Sequence, residues 1–230
     1  MIDAERRGGS KGVKALAHIS ERALARIKIF AFALALLPLF RLIIGAPLEW
    51  LGVNPIELIT RSTGTWTLVF LLITLGVTPL RRLTGWAWLL RLRRMLGLFA
   101  FFYGVLHFTT YVWLDQFFDA ESIVKDIVKR PFITIGFTAF VLMIPLAATS
   151  TSAMVRRLGG RRWRQLHRLA YALAVCAVVH YWWLVKRDLT QPLLYALVLA
   201  ILLGARVYWM LAERRRVSVR PDRPRAPESA

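Results

Sequence analysis

Only one cysteine, Cys176, and only 13 acidic residues occur in this chain of 230, against 32 lysines and arginines. A lone cysteine excludes an intramolecular disulfide framework and any CxxC metal or redox motif. No GxGxxG or GxxxxGK(S/T) string occurs, so no nucleotide-binding unit is expected in the chain. The shortage of acids leaves a formal charge of +19, which in a soluble protein points to nucleic acid or another acidic surface. The abundant residues argue otherwise. Hydrophobic side chains make up 57% of the chain and the mean hydropathy is +0.51, whereas soluble domains average about 45–50% apolar. Both facts fit if the apolar residues form membrane spans and the basic residues fill the loops on one side. No nucleic acid partner is expected.

A spanning helix needs about 20 mostly apolar residues. Six segments come close: Ile29–Ala46, Thr65–Leu80, Met95–Leu114, Phe132–Ala148, Leu166–Val185 and Pro192–Leu211. Their interruptions are few: Pro38 and Arg41 in the first, Pro145 in the fourth, Arg206 in the sixth. The 1–28 tail, the 81–94 and 150–165 loops and the 212–230 tail hold 23 lysines and arginines between them. The alternate loops, 47–64, 115–131 and 186–191, hold six. That asymmetry predicts an all-α integral membrane bundle of six transmembrane helices with both termini cytoplasmic. Three parts are expected: a basic cytoplasmic N-terminal segment (1–28), the six-helix domain (29–211) and a disordered basic cytoplasmic tail (212–230). The first 28 residues are polar and basic, unlike a cleavable signal peptide.

Ionisable residues are costly inside a span, so each is a functional candidate. His107 lies 12 residues into the third span and His180 lies 14 into the fifth, roughly 18 and 21 Å from the cytoplasmic face at about 1.5 Å per residue. Two imidazoles at one depth on different helices suit the two axial positions of a haem iron. They suit zinc less well, because a tetrahedral site would stay half empty. His167 falls near the cytoplasmic end of the fifth span, where a second centre would make a two-step path across the membrane. The matching position on the third span is Arg94, which cannot ligate a metal. Arg93 and Arg94 could instead grip a propionate or a flavin phosphate. Arg41 snorkels or pairs with a propionate on this reading. Gly97, Ala100 and Gly104 could make room for a porphyrin, or serve close helix packing. His18 is read as a solvated residue of the basic tail. A cofactor-free proton-coupled transporter using the intramembrane Arg and His residues is the alternative of a different class.

The strings PLRRLTG (79–85), RRMLGLFAFFYGVLHFTTY (93–111), RPFITIGF (130–137), TSTSAM (149–154), LGGRRWRQLHRLAY (158–171) and HYWWLVK (180–186) resemble the MsrQ family, as does GVNPIELITRSTGTWTL (52–68). MsrQ proteins are haem-binding membrane subunits of the bacterial methionine sulfoxide reductase system, within the ferric-reductase-like transmembrane superfamily. The likeness runs in unbroken order over roughly residues 30–211. It implies a multi-pass inner-membrane protein carrying one or two b-type haems and FMN. Its family haem-histidine positions fall on His107, His167 and His180. It also implies electron transfer from the quinone pool, or from a cytosolic flavin reductase, to a periplasmic MsrP-like molybdopterin subunit that reduces methionine sulfoxide in envelope proteins. The chain is then the electron-transfer subunit of an oxidoreductase, with the sulfoxide chemistry in its partner. A ferric-reductase-type haem protein with another acceptor is the nearer alternative. Such proteins usually carry flavin and nicotinamide units after the last helix, and only 19 residues follow Leu211.

Overall fold

The computed structural model describes residues 19–185 and 188–218. Its helices follow the apolar segments, and their ends follow capping chemistry. Helix α1 (Glu21–Gly45) starts where the Ser20 hydroxyl accepts the Ala23 amide. Helix α2 (Pro55–Thr84) has Pro55 at its first position, where a missing N–H costs nothing. Asn54 and Glu57 cap it reciprocally, and Gly85 closes it at φ 76°, a left-handed conformation natural to glycine. After a 3₁₀ turn (Ala87–Leu89) comes α3 (Leu90–Thr110), which continues as a π-helical turn, Tyr111–Asp115. Then follow α4 (Ala120–Lys129), α5 (Pro131–Ala148), α6 (Ser152–Leu166), α7 (Leu169–Leu184) and α8 (Thr190–Ser218).

Five of these helical stretches are long and apolar enough to cross a bilayer: Glu21–Gly45, Pro55–Thr84, Ala87–Asp115, Pro131–Ala148 and Thr190–Arg215. Leu169–Leu184 is equally apolar but has 16 residues, about 24 Å of helix where a hydrocarbon core is about 30 Å. The chain is an all-helical, multi-pass membrane protein. Its outward faces are apolar, as lipid requires: Ile29, Phe30, Leu37, Leu197 and Ile201 are all exposed.

The core lies where α2 packs on α3 and α5 packs on α7. Leu75, Ala100, Tyr103 and Ala174 are at most 1% exposed at its centre. Tyr103 stacks on Phe70 at 5.5 Å, and its hydroxyl donates to the Ala35 carbonyl at 2.8 Å, tying α1 to the bundle.

Several boundaries differ from the sequence reading. The first helix begins within the expected 1–28 tail, at Glu21, whose carboxylate pairs with Arg91. The last helix runs through 212–218, part of the expected disordered tail. Arg82 holds it there by pairing with Glu213 at 3.0 Å and lying over the Trp209 ring. Residues 219–230 and His18 lie outside the described residues. Two loops contain helices of their own: α4 in 115–131, capped by Asp119, and α6 in 150–165, capped by Thr151 and kinked at Gly159, where φ is 74°.

Arg206 does not interrupt α8. Its guanidinium donates to the Leu202 carbonyl at 2.9 Å and to the Leu75 carbonyl of α2, and lies over the Tyr171 ring. Leu75 needs that donor because the residue four further on is Pro79, which has no N–H to give. Arg206 thus fills a hydrogen-bond vacancy that a proline creates inside the bundle.

Candidate functional site

Helix α3 carries His107 and α7 carries His180, and the fold brings the two rings together edge to face. Their ring centroids are 6.2 Å apart and their planes are inclined by 68°. Each ring is held by a backbone carbonyl of the helix behind it. His107 Nδ1 lies 2.9 Å from the Thr60 carbonyl of α2. His180 Nδ1 lies 2.7 Å from the Phe132 carbonyl of α5. A carbonyl only accepts, so each Nδ1 carries the hydrogen and each Nε2 keeps its lone pair. A glycine backs each ring: Gly64 behind His107 and Gly136 behind His180.

These dimensions can be compared with those of a metal centre. A metal between two imidazoles, with bonds of about 2 Å and each nitrogen about 1 Å from its ring centre, sets the centroids about 6 Å apart. No group of three or more His, Cys, Asp or Glu side chains converges among the described residues. Two histidines alone suit a metal that brings its remaining ligands with it, as a porphyrin iron does.

His167 does not join this pair. The sequence reading placed it inside the fifth span, but α7 begins at Leu169, and His167 closes α6 in a turn with φ −69° and ψ −4°. Its Nε2 lies 3.1 Å from the Thr149 hydroxyl, whose own hydrogen goes to the Pro145 carbonyl at 2.6 Å. His167 Nε2 is thus the donor in that bond. Trp163 stacks on the imidazole with centroids 3.9 Å apart and donates its indole N–H to the Thr149 carbonyl at 2.9 Å.

His167 instead borders a cavity of about 420 Å³, together with Arg93, Arg94, Gly97, Ser150 and Trp163. Arg93 is half-buried and Arg94 exposed. Arg206 lies close enough to Arg93 for the two charges to interact. The cavity lining combines Arg93 and Arg94 with apolar side chains, among them Leu71, Met143 and Leu173. Gly97 and Ala100 border this cavity, while Gly104 packs against Met143 and Thr67. Arg41 is elsewhere. It is exposed in a groove of about 440 Å³ with Arg61, Glu57 and Trp66, where Arg61 pairs with Glu57 at 2.6 Å.

The sequence reading did not find Thr60, Gly64, Phe132, Gly136, Thr149 or Trp163. A signal was present for four of them. Gly64 follows Thr60 by four residues, Gly136 follows Phe132 by four, and the histidines follow those glycines by 43 and 44.

Known proteins resemble this chain over most of its length. A protein of Herminiimonas arsenicoxydans is 57% identical over 199 residues, covering 86% of this chain and 91% of that protein. One of Ralstonia nicotianae is 58% identical over 191 residues, covering 82% and 88%. One of Azospira oryzae is 59% identical over 198 residues, covering 86% and 83%. All three are described as the protein-methionine-sulfoxide reductase haem-binding subunit MsrQ. This chain belongs to the MsrQ family. The broader family described as "Ferric reductase like transmembrane component" matches residues 62–178. That match takes in Gly64, His107, Gly136 and His167, and stops just short of His180.

Proposed function

We propose that this chain is a haem b-carrying electron-transfer subunit of the bacterial inner membrane, with His107 and His180 as the axial ligands of one haem. The observation that carries the reading is the 6.2 Å separation of two rings whose Nδ1 hydrogens are both committed to carbonyls. The haem supplies a one-electron Fe(III)/Fe(II) couple, and the low-polarity packing around the histidines tunes it. The chain's own part is to hold two neutral imidazoles at one level and to keep water from the bundle interior.

The cavity beside His167 is the seat of a second centre, haem or FMN. Arg93 and Arg94 are placed for its propionates or phosphate. For ligation through Nε2, His167 would exchange its bond to Thr149. Arg41, in the groove beside Arg61, offers a further cation to a propionate or a lipid headgroup. The apolar helices, including the 16-residue α7, make six crossings. The loops 81–94 and 150–165 and both termini lie in the cytoplasm, because their arginines outnumber those of the alternate loops. Electrons enter from quinol, or from a cytosolic flavin reductase at the His167 level. They leave from the His107–His180 level to a periplasmic MsrP-like molybdopterin subunit, where methionine sulfoxide is reduced. The names of the relatives, which describe a haem-binding subunit of that reductase, support this assignment.

Of the intramembrane Arg and His residues that the transporter alternative would use, Arg206 is occupied in satisfying Leu75 and Leu202. A reduced-minus-oxidised spectrum of the purified protein tests the reading. Soret and α-band changes of a low-spin b haem are expected. Their absence from protein made with ample haem would overturn it.

A further inference from the structure

The two histidines are held by the same device used twice. On α2 a carbonyl at Thr60 receives the imidazole hydrogen, and one turn later Gly64 lies against the ring. On α5 the carbonyl is that of Phe132, and one turn later the glycine is Gly136. We infer that Thr60–Gly64 and Phe132–Gly136 are paired positioning cradles that fix the tautomer and the plane of each imidazole presented to a haem iron.

The space at both glycines is closed. A Cβ on Gly64 would meet His107 Cε1 at 3.0 Å and Nδ1 at 3.1 Å. A Cβ on Gly136 would meet His180 Cε1 and Nδ1 at 2.7 Å. An imidazole is rigid, so it cannot yield at its tip as a lysine or methionine would. It must rotate about χ1 or χ2 and lengthen or break its bond to the carbonyl. The three atoms nearest such a Cβ all belong to the histidine ring at both positions, so the ring is the first group an added methyl would meet. Gly204 is the contrast, with nothing within 4 Å of a Cβ built on it.

The cradles act at two levels. The carbonyl keeps the hydrogen on Nδ1, so that Nε2 is the free nitrogen, and polarises the ring toward imidazolate, raising its basicity as a ligand. The glycine lets the ring come up close against the helix, which limits its rotation about the ligating axis. Together the two cradles set the 68° angle between the rings. The relative plane angle of two axial imidazoles governs the anisotropy of a low-spin ferric haem. The cradles therefore determine a spectroscopic property of the bound group and not merely its retention.

This inference rests on the haem reading of the histidine pair. Its test is electron paramagnetic resonance of the oxidised full-length protein as Gly64→Ala, Gly136→Ala and Gly204→Ala variants, alongside wild type. Expected is a shift of the largest low-spin g value beyond the wild-type linewidth, or an at least twofold loss of low-spin haem, in the first two variants and neither change in the third. Wild-type haem content and unshifted g values in both Gly64→Ala and Gly136→Ala would overturn the inference while leaving the haem reading intact. A wild type with no haem signal would instead sink the haem reading. A measurement that needs neither folding of a variant nor haem is nitrogen-15 NMR of histidine-labelled wild-type protein. Protonated, slowly exchanging Nδ1 in both His107 and His180 is expected, and an Nε2-protonated ring at either position would overturn the inference.

Discussion

The His107 and His180 rings lie 6.2 Å apart, centre to centre, at 68°, yet the carbonyl that each bonds belongs to neither α3 nor α7. Each takes its orientation from a third helix, α2 or α5, through a carbonyl bond of 2.9 or 2.7 Å. The gap between the rings is thus bounded by four helices. A change in any one of them should be felt by the group held there.

The two levels of the bundle should load independently. Replacing His107 or His180 by alanine is expected to remove one haem, whereas His167→Ala should leave that haem in place and weaken only the inner centre. Haem and FMN per chain, from pyridine haemochrome and released-flavin assays, check this. Loss of at least half the haem is expected in the first two variants. Arg93→Gln is expected to weaken retention at the inner cavity alone.

Arg206 and Pro79 should be energetically coupled. Arg206→Leu leaves the Leu75 carbonyl unsatisfied, at a cost of about 1–3 kcal/mol. Pro79→Ala restores an N–H four residues after Leu75, so the same arginine change should cost less in that background. Detergent thermal unfolding of the four proteins of this cycle measures the coupling, expected at about 0.5 kcal/mol or more. Strict additivity would show that the carbonyl is not what Arg206 serves.

Tyr103→Phe removes the hydroxyl that ties α1 to the bundle through Ala35. A loss of about 0.5–1.5 kcal/mol is expected. Hydrogen exchange should rise in α1 before it rises in α3. A uniform rise across both helices would contradict a tie specific to α1.

Helix α4 should fray in acid. Hydrogen bonds from the Ser122 hydroxyl, then from the Ser122 and Glu121 amides, hold the Asp119 carboxyl below its usual range. A depressed folded-state value means the cap is fully present above the unfolded value, about 4. It is lost as pH falls through the lower folded value. Amide exchange at Glu121 and Ser122, corrected for intrinsic rates, should therefore accelerate below about pH 4. Asp119→Asn should be less sensitive to acid.

The apolar segments were legible because lipid imposes their composition, and the two histidines could be matched in depth because helical rise converts position into distance. What holds them was less legible. Thr60 and Phe132 act through carbonyl groups that every residue carries, so no side-chain letter marks them. Gly64 and Gly136 did carry a mark, the shared four-residue and 43–44-residue spacings, but it means little until the histidines are seen against them. Arg206 read as an intrusion because its partner was a vacancy made by Pro79 on another helix. Helix α4 was concealed by its length: Ile123 and Ile127 are helically spaced, but ten residues do not reach the span criterion. His167 looked like part of a span because the apolar run ignores the turn at His167–Arg168.

Near-infrared magnetic circular dichroism of the oxidised protein is decisive for the roles of His107 and His180, because the charge-transfer band of a ferric haem reports its axial ligands. A bis-imidazole band is expected in wild type and His167→Ala, and is expected to be absent from both His107→Ala and His180→Ala. Retention of that band at full intensity in either of those two variants would contradict their role as axial ligands.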